Sequence, residues 1–400
     1  MRSSWITTLT IMLLLAVSPV AKLAPVKALY LQDGLLMLAI AACAVAVARR
    51  GDILCSLRRI PLAAIGMLCV VLMSLAGAIK LGEGGREATK YVLLLALFAS
   101  VLLASGRDVN VPVLMGWMSL IVAVLLAIGL WQLIRKWEYP ISIFENRNVY
   151  AGMAAGLVVV GAGFFEDVAG KRGRVATFLL VMISFAVLPS SGWVGISAGL
   201  LLLLAFRQTR SAGLVGIAAG VTGVLVSALA FDAHFSRQLA NLGLHDPNGK
   251  DISQRYLEWF AALNMLSDNP VLGVGAGNYQ AFIGKYYELL PKLDTLEYDA
   301  QNGWLVIAST TGFAGLCSLA WLFIGGLLPG IRRAREGADI QATILAAAVI
   351  AWMAANVMTL VYVRETGPFV MVALALLWRY GLEMDRGDGA GGIKQTNEDR

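Results

Sequence analysis

The sequence predicts an all-α polytopic membrane protein of about twelve transmembrane helices, with one long extracytoplasmic loop containing amphipathic helices. Three observations carry that expectation. Hydrophobic residues make up 58% of the 400 and charged residues only 14%, against roughly 25% charged in a soluble domain. Apolar runs of near-spanning length recur along the chain, separated by short polar connections. Basic residues gather in alternate connections, as they do where short cytoplasmic loops retain Lys and Arg. The net charge of +6 therefore marks topology and not a nucleic-acid surface. Cys43, Cys69 and Cys317 fall in apolar runs and Cys55 in a basic loop, so neither a disulfide nor a metal-ligand spacing is expected. With His234 and His245 the only histidines, a histidine-rich metal site is excluded.

The apolar segments run at about 5–21, 28–48, 60–79, 88–105, 111–133, 149–166, 174–189, 192–206, 212–232, 302–330, 341–361 and 366–382. The first carries Arg2 before an apolar stretch long for a signal-peptide core, and is expected to stay as a helix. With the N-terminus inside, 18 Lys/Arg fall on the inner side and 14 on the outer, five of these in the long loop that the rule discounts. Both termini are thus expected in the cytoplasm. Four regions follow: helices 1–9 over 1–232, an extracytoplasmic loop over 233–301, helices 10–12 over 302–384, and a Gly-rich polar tail over 385–400 whose composition favours disorder.

Three short outer connections carry cations. These are Arg86 and Lys90 within LGEGGREATK, Arg147 between two asparagines, and Arg364 within YVRETGP. Each reads either as an interfacial anchor or as part of one anion site on the outer face, where the planar guanidinium fork suits phosphate. The long loop holds eight acidic and five basic residues, so any anion site there must be focal.

The most informative stretch is Asp251 to Gly315. Asp251 and Gln254 have the spacing of a capping box. Ile252, Tyr256, Trp259, Phe260, Leu263 and Leu266 then mark one helical face, ended by Asp268-Asn269-Pro270. At about 16 residues with Arg255, Glu258 and Asp268 aboard, this helix is too short and polar to span. It is expected along the membrane surface or over a cavity. The run Gly273, Gly275, Gly277, Asn278, Tyr279 has no preceding strand, which excludes a dinucleotide fingerprint. It reads as a tight turn needing positive φ, with its backbone close to a ligand.

At these residues the chain resembles the O-antigen ligase and polymerase superfamily of bacterial membrane glycosyltransferases. The resemblance rests on Arg255 with Tyr256 and Trp259, then Asp268-Asn269-Pro270, Gly273 to Tyr279, Gln301-Asn302, and Thr311-Gly312-Phe313-Ala314-Gly315. It implies transfer of a glycan from undecaprenyl pyrophosphate to an acceptor sugar or lipid-linked glycan at the outer face of the cytoplasmic (inner) membrane. The products are lipopolysaccharide O-antigen or exopolysaccharide, with flippase and export proteins as assembly partners. No cofactor, metal or nucleic acid is implied. Arginines hold the pyrophosphate in such enzymes, and a histidine before the asparagine acts as base. Arg255 takes the phosphate role directly. Gln301 stands at the histidine position, and Ser191 where an arginine is common.

Departure of a good leaving group makes electrostatic stabilisation the main demand. Arg255 leads, supported by Arg86, Lys90, Arg147 and Arg364 as donor pyrophosphate ligands. Gln301 and Asn302 are the catalytic pair at the membrane re-entry, with Asp299 the replacement base. Glu258 reads either as a second base or as half of a surface Arg255–Glu258 pair. Two other function classes stay open. A small-solute or anion transporter would carry mid-membrane charges, whereas here the charges sit near the interfaces; a non-catalytic subunit of a polysaccharide assembly complex would lack transfer activity.

Overall fold

The computed structural model describes residues 2–20, 27–49, 58–104, 109–135, 140–144, 147–242, 250–287, 300–337, 339–358 and 366–384. Fourteen α-helices carry the fold among the described residues: α1 (Arg2–Val17), α2 (Lys27–Ala48), α3 (Leu62–Ser74), α4 (Leu81–Leu103), α5 (Val111–Ile134), α6 (Arg147–Val187), α7 (Ser190–Ala205), α8 (Arg210–Ala230), α9 (Asp232–Leu242), α10 (Lys250–Asp268), α11 (Tyr279–Tyr287), α12 (Gly303–Glu336), α13 (Ile340–Ala355) and α14 (Gly367–Met384). Four of them, α5, α6, α8 and α12, are long and apolar enough to cross a membrane by length and composition. Shorter apolar helices lie within α1, α2, α3, α7 and α13.

The core is built on α6, α13 and α14. Leu157 to Val160 of α6, Ile344 to Val349 of α13 and Phe369 to Leu377 of α14 are buried throughout. Small residues let these helices approach: a Cβ on Gly156 would overlap the Trp352 indole, and one on Gly163 would overlap Ile344. Without a hydrophobic force between helices in lipid, such close van der Waals packing is the main attraction.

Two helices are broken by glycine. Gly170 of α6 has φ +52°, and beyond it the chain runs back on itself, with the Thr177 hydroxyl donating to the Ala162 carbonyl at 2.9 Å. This reversal separates the two apolar segments expected at 149–166 and 174–189. Gly312 of α12 has φ +69° and ψ −172°. The rings of Trp304 and Phe323 lie 5.8 Å apart, although an unbroken helix would separate residues 19 apart by about 28 Å. The arm before Gly312 therefore folds back along the arm after it. The run 302–330, expected as one span, is two arms.

The end of the bundle opposite the long loop holds an ion-pair cluster. Arg333 faces Glu383 at 3.4 Å and Asp339 at 3.9 Å, and Arg379 faces Glu383 at 3.4 Å. Arg379, which topology alone would make a peripheral cation, is 8% exposed.

Candidate functional site

The glycine-rich turn and the break in α12 form one structure. At Gly312 the helical ladder fails, and its carbonyl and amide groups need new partners. The turn supplies them. Val274 N–H donates to the Ser309 carbonyl and Gly275 N–H to the Thr310 carbonyl, each at 3.0 Å. In return Phe313 N–H donates to the Pro270 carbonyl at 2.8 Å and Ala314 N–H to the Val271 carbonyl at 3.3 Å. Gly273, Gly275 and Gly277 have φ of +66°, +98° and +72°, the left-handed turn that the spacing predicts. Their close approach is to protein. A Cβ on Gly275 would meet Ala78 at 2.9 Å, and one on Gly277 the Glu83 carbonyl oxygen at 2.7 Å. Asn278 completes the seal, its Oδ1 accepting from Lys80 N–H at the start of α4, at 2.8 Å.

Around this junction α10, α11 and the first arm of α12 enclose a small core of their own. It contains Ala261, Ala262, Met265, Val274, Tyr279, Ile283, Tyr286, Tyr287 and Ala300. Tyr279, at the end of the glycine motif, is thus a buried packing residue, 4% exposed. The Tyr286 hydroxyl donates to Asp268 Oδ2 at 2.9 Å. Burial first, and then that bond and charge, push its pKa up to about 12. The folded state holds this proton more tightly than the unfolded chain, so the stabilisation is complete below about pH 10 and fades as pH rises through the folded value.

Gln301 and Asn302 lie at the start of the folded-back arm. Asn302 is the N-cap of α12, its Oδ1 accepting from Trp304 N–H at 3.1 Å and Leu305 N–H at 3.2 Å. Gln301 has φ +44°, a left-handed conformation that non-glycine residues seldom adopt. Its Oε1 accepts from Asn148 Nδ2 at 3.3 Å. That bond joins it to the first turn of α6, where Arg147 is half-buried. On the other side, Gly303 N–H donates to the Asn356 carbonyl at the end of α13, at 2.9 Å. Asn356 is 2% exposed, and the sequence reading missed it. A polar asparagine inside the apolar run 341–361 was the available signal.

α10 reaches the same place. Trp259 Nε1 donates to the Ala300 carbonyl at 2.9 Å, one residue before Gln301. Glu258, beside it, is 1% exposed, so it is a buried carboxylate and not one at the helix surface. The helix starts at Lys250, one residue ahead of the expected cap at Asp251. Its apolar residues divide. Leu266 is buried, whereas Tyr256, Phe260 and Leu263 are 62%, 54% and 48% exposed. The inward face is instead Glu258, Ala261, Ala262 and Met265.

The expected cations are placed unequally. Arg147 adjoins Gln301 through Asn148. Arg86 is exposed in the second turn of α4, and the Lys90 ammonium is paired with Glu87. The Arg255 side chain lies outside the described residues; by helical register it precedes Glu258 by about one turn. Arg364 and Asp299 lie outside them altogether. Ser191 is buried at the start of α7, whose Ser190 N–H donates to Gln238 Oε1 of α9 at 2.8 Å. His234, one turn before Gln238, is also buried.

Comparison with known families decides what this arrangement resembles. Residues 175–320 match the O-antigen ligase family. The match bears out the family expected from Arg255, the glycine run and Gln301-Asn302. It covers the junction of the turn with α12 and all of α10. A search of curated proteins finds no match. Residues 175–320 thus resemble an O-antigen ligase domain within a chain that is apolar and helical among its described residues, which supports a membrane glycosyltransferase-like function.

Proposed function

We propose that the protein transfers a glycan from undecaprenyl pyrophosphate to an acceptor sugar hydroxyl at the outer face of the cytoplasmic membrane, as a ligase or a repeat-unit polymerase. The observation that carries this reading is the convergence on Gln301-Asn302 of α6 through Asn148, α10 through Trp259, and α13 through Asn356. A non-glycine residue held at positive φ amid such contacts is a strained position of the kind that clusters at functional sites. In this reaction the acceptor oxygen bonds to the anomeric carbon, the bond from that carbon to the phosphate oxygen breaks, and the pyrophosphate leaves on its carrier. Arg255 and Arg147 stabilise the departing charge. Arg86 and Arg364 serve at its rim; Lys90, already paired with Glu87, contributes least. Gln301 orients the acceptor hydroxyl by hydrogen bonding. Glu258 takes the proton, with Asp299 as the competing base. No metal enters the scheme.

Deletion of the gene followed by analysis of lipid-linked glycans separates the two forms: a lost ligase leaves long chains on the carrier, a lost polymerase single units. The absence of the family histidine favours one other reading, a non-catalytic assembly subunit. Transfer by the purified protein rules that out, and no transfer at any donor concentration supports it.

Three variants bear on the site. Arg255→Lys should cut transfer about tenfold or more, since an ammonium cannot replace the paired charge-assisted hydrogen bonds of the fork. Arg335→Lys is the control, because Arg335 is exposed at the other end of α12. Full activity of Arg255→Lys at normal protein levels removes Arg255 from the site. Gln301→His should stay active and add an ionisation at about pH 6.5 to the rate profile under saturating donor. A profile identical to wild type would make position 301 structural.

The twelve-crossing topology is tested separately. A reporter fused near Pro247 should lie outside the cytoplasm and one near Gly337 inside it; a reversal of either overturns the orientation.

A further inference from the structure

The outward face of α10 has an unexpected make-up for a helix in an extracytoplasmic loop. Tyr256, Phe260 and Leu263 follow one another at spacings of four and three, so they form one stripe. Each is about half exposed or more. Of its described charged residues, Glu258 is buried on the opposite face, and Asp268 accepts from the Tyr286 hydroxyl. No helix covers the stripe among the described residues.

What covers it follows from its continuation. Just past the end of α10 comes Val271, 67% exposed. The Val271 carbonyl accepts from Ala314 N–H, and the Pro270 carbonyl from Phe313 N–H. The stripe is thereby joined by backbone bonds to the start of the long arm of α12. That arm carries its own outward row, Phe313, Trp321, Ile324 and Leu328, each 49–53% exposed. From Phe313 to Glu336 the arm is by itself of spanning length and mostly apolar, so this row is the face it would turn to acyl chains. One apolar surface thus runs from the spanning arm across the turn onto α10.

We propose that α10 is embedded along the outer surface of the bilayer, with Tyr256, Phe260 and Leu263 in contact with phospholipid acyl chains. The junction at Gly312 sets its depth, because the turn that ends α10 is bonded to the top of the spanning arm. Aromatic residues suit that level, where one edge of the ring meets hydrocarbon and the other headgroups. The inward face then presents Glu258 to the protein side of the interface. Of the two placements open to this helix from its pattern, membrane surface or cavity lid, the continuity of the stripe selects the first. This inference does not depend on the proposed reaction.

The test uses the full-length protein with Cys43, Cys55, Cys69 and Cys317 replaced by alanine. Single cysteines are introduced as Phe260→Cys, Leu263→Cys and, as a control at an exposed polar position on α11, Gln280→Cys. In native membranes, and in purified-protein liposomes of phosphatidylethanolamine and phosphatidylglycerol, a membrane-impermeant maleimide should react with positions 260 and 263 at least about tenfold more slowly than with 280. A bimane label at 260 should be quenched by brominated phospholipid and the same label at 280 should not. Equal maleimide rates at 260 and 280 in both settings would overturn the proposal. So would shielding at 260 that exists in native membranes and vanishes in the liposomes, since a protein partner would then be the cover. Because the three residues are surface residues, their cysteine variants should accumulate normally; if Phe260→Cys does not, Leu263→Cys supplies the same readings.

Discussion

Glu258→Gln is expected to lower transfer at saturating donor about 10²-fold or more, the usual scale of general-base help, with little change in the donor concentration needed for half-maximal rate. The expectation comes from position. Glu258 is 1% exposed on a helix whose next residue, Trp259, is bonded to the Ala300 carbonyl, and Gln301 follows directly. Glutamine keeps the shape and hydrogen-bonding reach of the side chain but cannot take up a proton. A base is therefore removed with little change in packing. Three measurements should be read together: single-turnover rate, donor dependence and thermal midpoint. A slow rate with unchanged donor dependence and midpoint supports the base role, together with loss of the acid limb of the pH profile. A fallen midpoint would make Glu258 a structural carboxylate. Asp299→Asn is the competing arm. If it slows transfer and Glu258→Gln does not, the proton goes to Asp299.

Gly312→Ala should destroy the unit built by α10, α11 and the first arm of α12, and transfer with it. A non-glycine residue at φ +69° and ψ −172°, a region essentially reserved for glycine, costs roughly 1–3 kcal/mol in backbone strain alone. The added Cβ would also overlap the Val271 carbonyl and the Leu272 amide. Those atoms cannot retreat without opening the four backbone bonds that join Pro270–Gly275 to Ser309–Ala314, each worth about 1 kcal/mol net and more if its groups are left buried without partners. The small core of α10, α11 and the first arm of α12 loses its anchor. Limited proteolysis should cut within 250–287 in the variant and not in wild type, and transfer should fall below detection. The control is Gly284→Ala, where a Cβ meets nothing within 4 Å and a helical alanine is favoured. A protected loop and normal turnover in Gly312→Ala would mean that the break is not what holds the unit together.

Local chemistry alone determined much of this protein. Apolar run length set the positions of the helices, Asp268-Asn269-Pro270 ended α10, and the alternating glycines required a turn at positive φ. The O-antigen ligase match over 175–320 was equally legible, in Arg255, the glycine run and Gln301-Asn302. The division of 147–187 into two segments followed from the polar residues around Gly170. Other features depend on partners distant in sequence, and these only the tertiary structure decided. The resemblance marks a turn at Thr311-Gly312 within an apolar helix, but not that the arm folds back, because the groups that satisfy the broken ladder come from a turn some 40 residues earlier. Asn148, Asn356 and Trp259 gain their roles by meeting Ala300–Gly303 across four elements. The face of α10 is the clearest case. Hydropathy marks Tyr256, Phe260 and Leu263 as a stripe to be removed from water, but lipid and protein interior are equally apolar destinations. The backbone bonds from Pro270 and Val271 to α12 decide between them, leaving Glu258 inside and the stripe facing out.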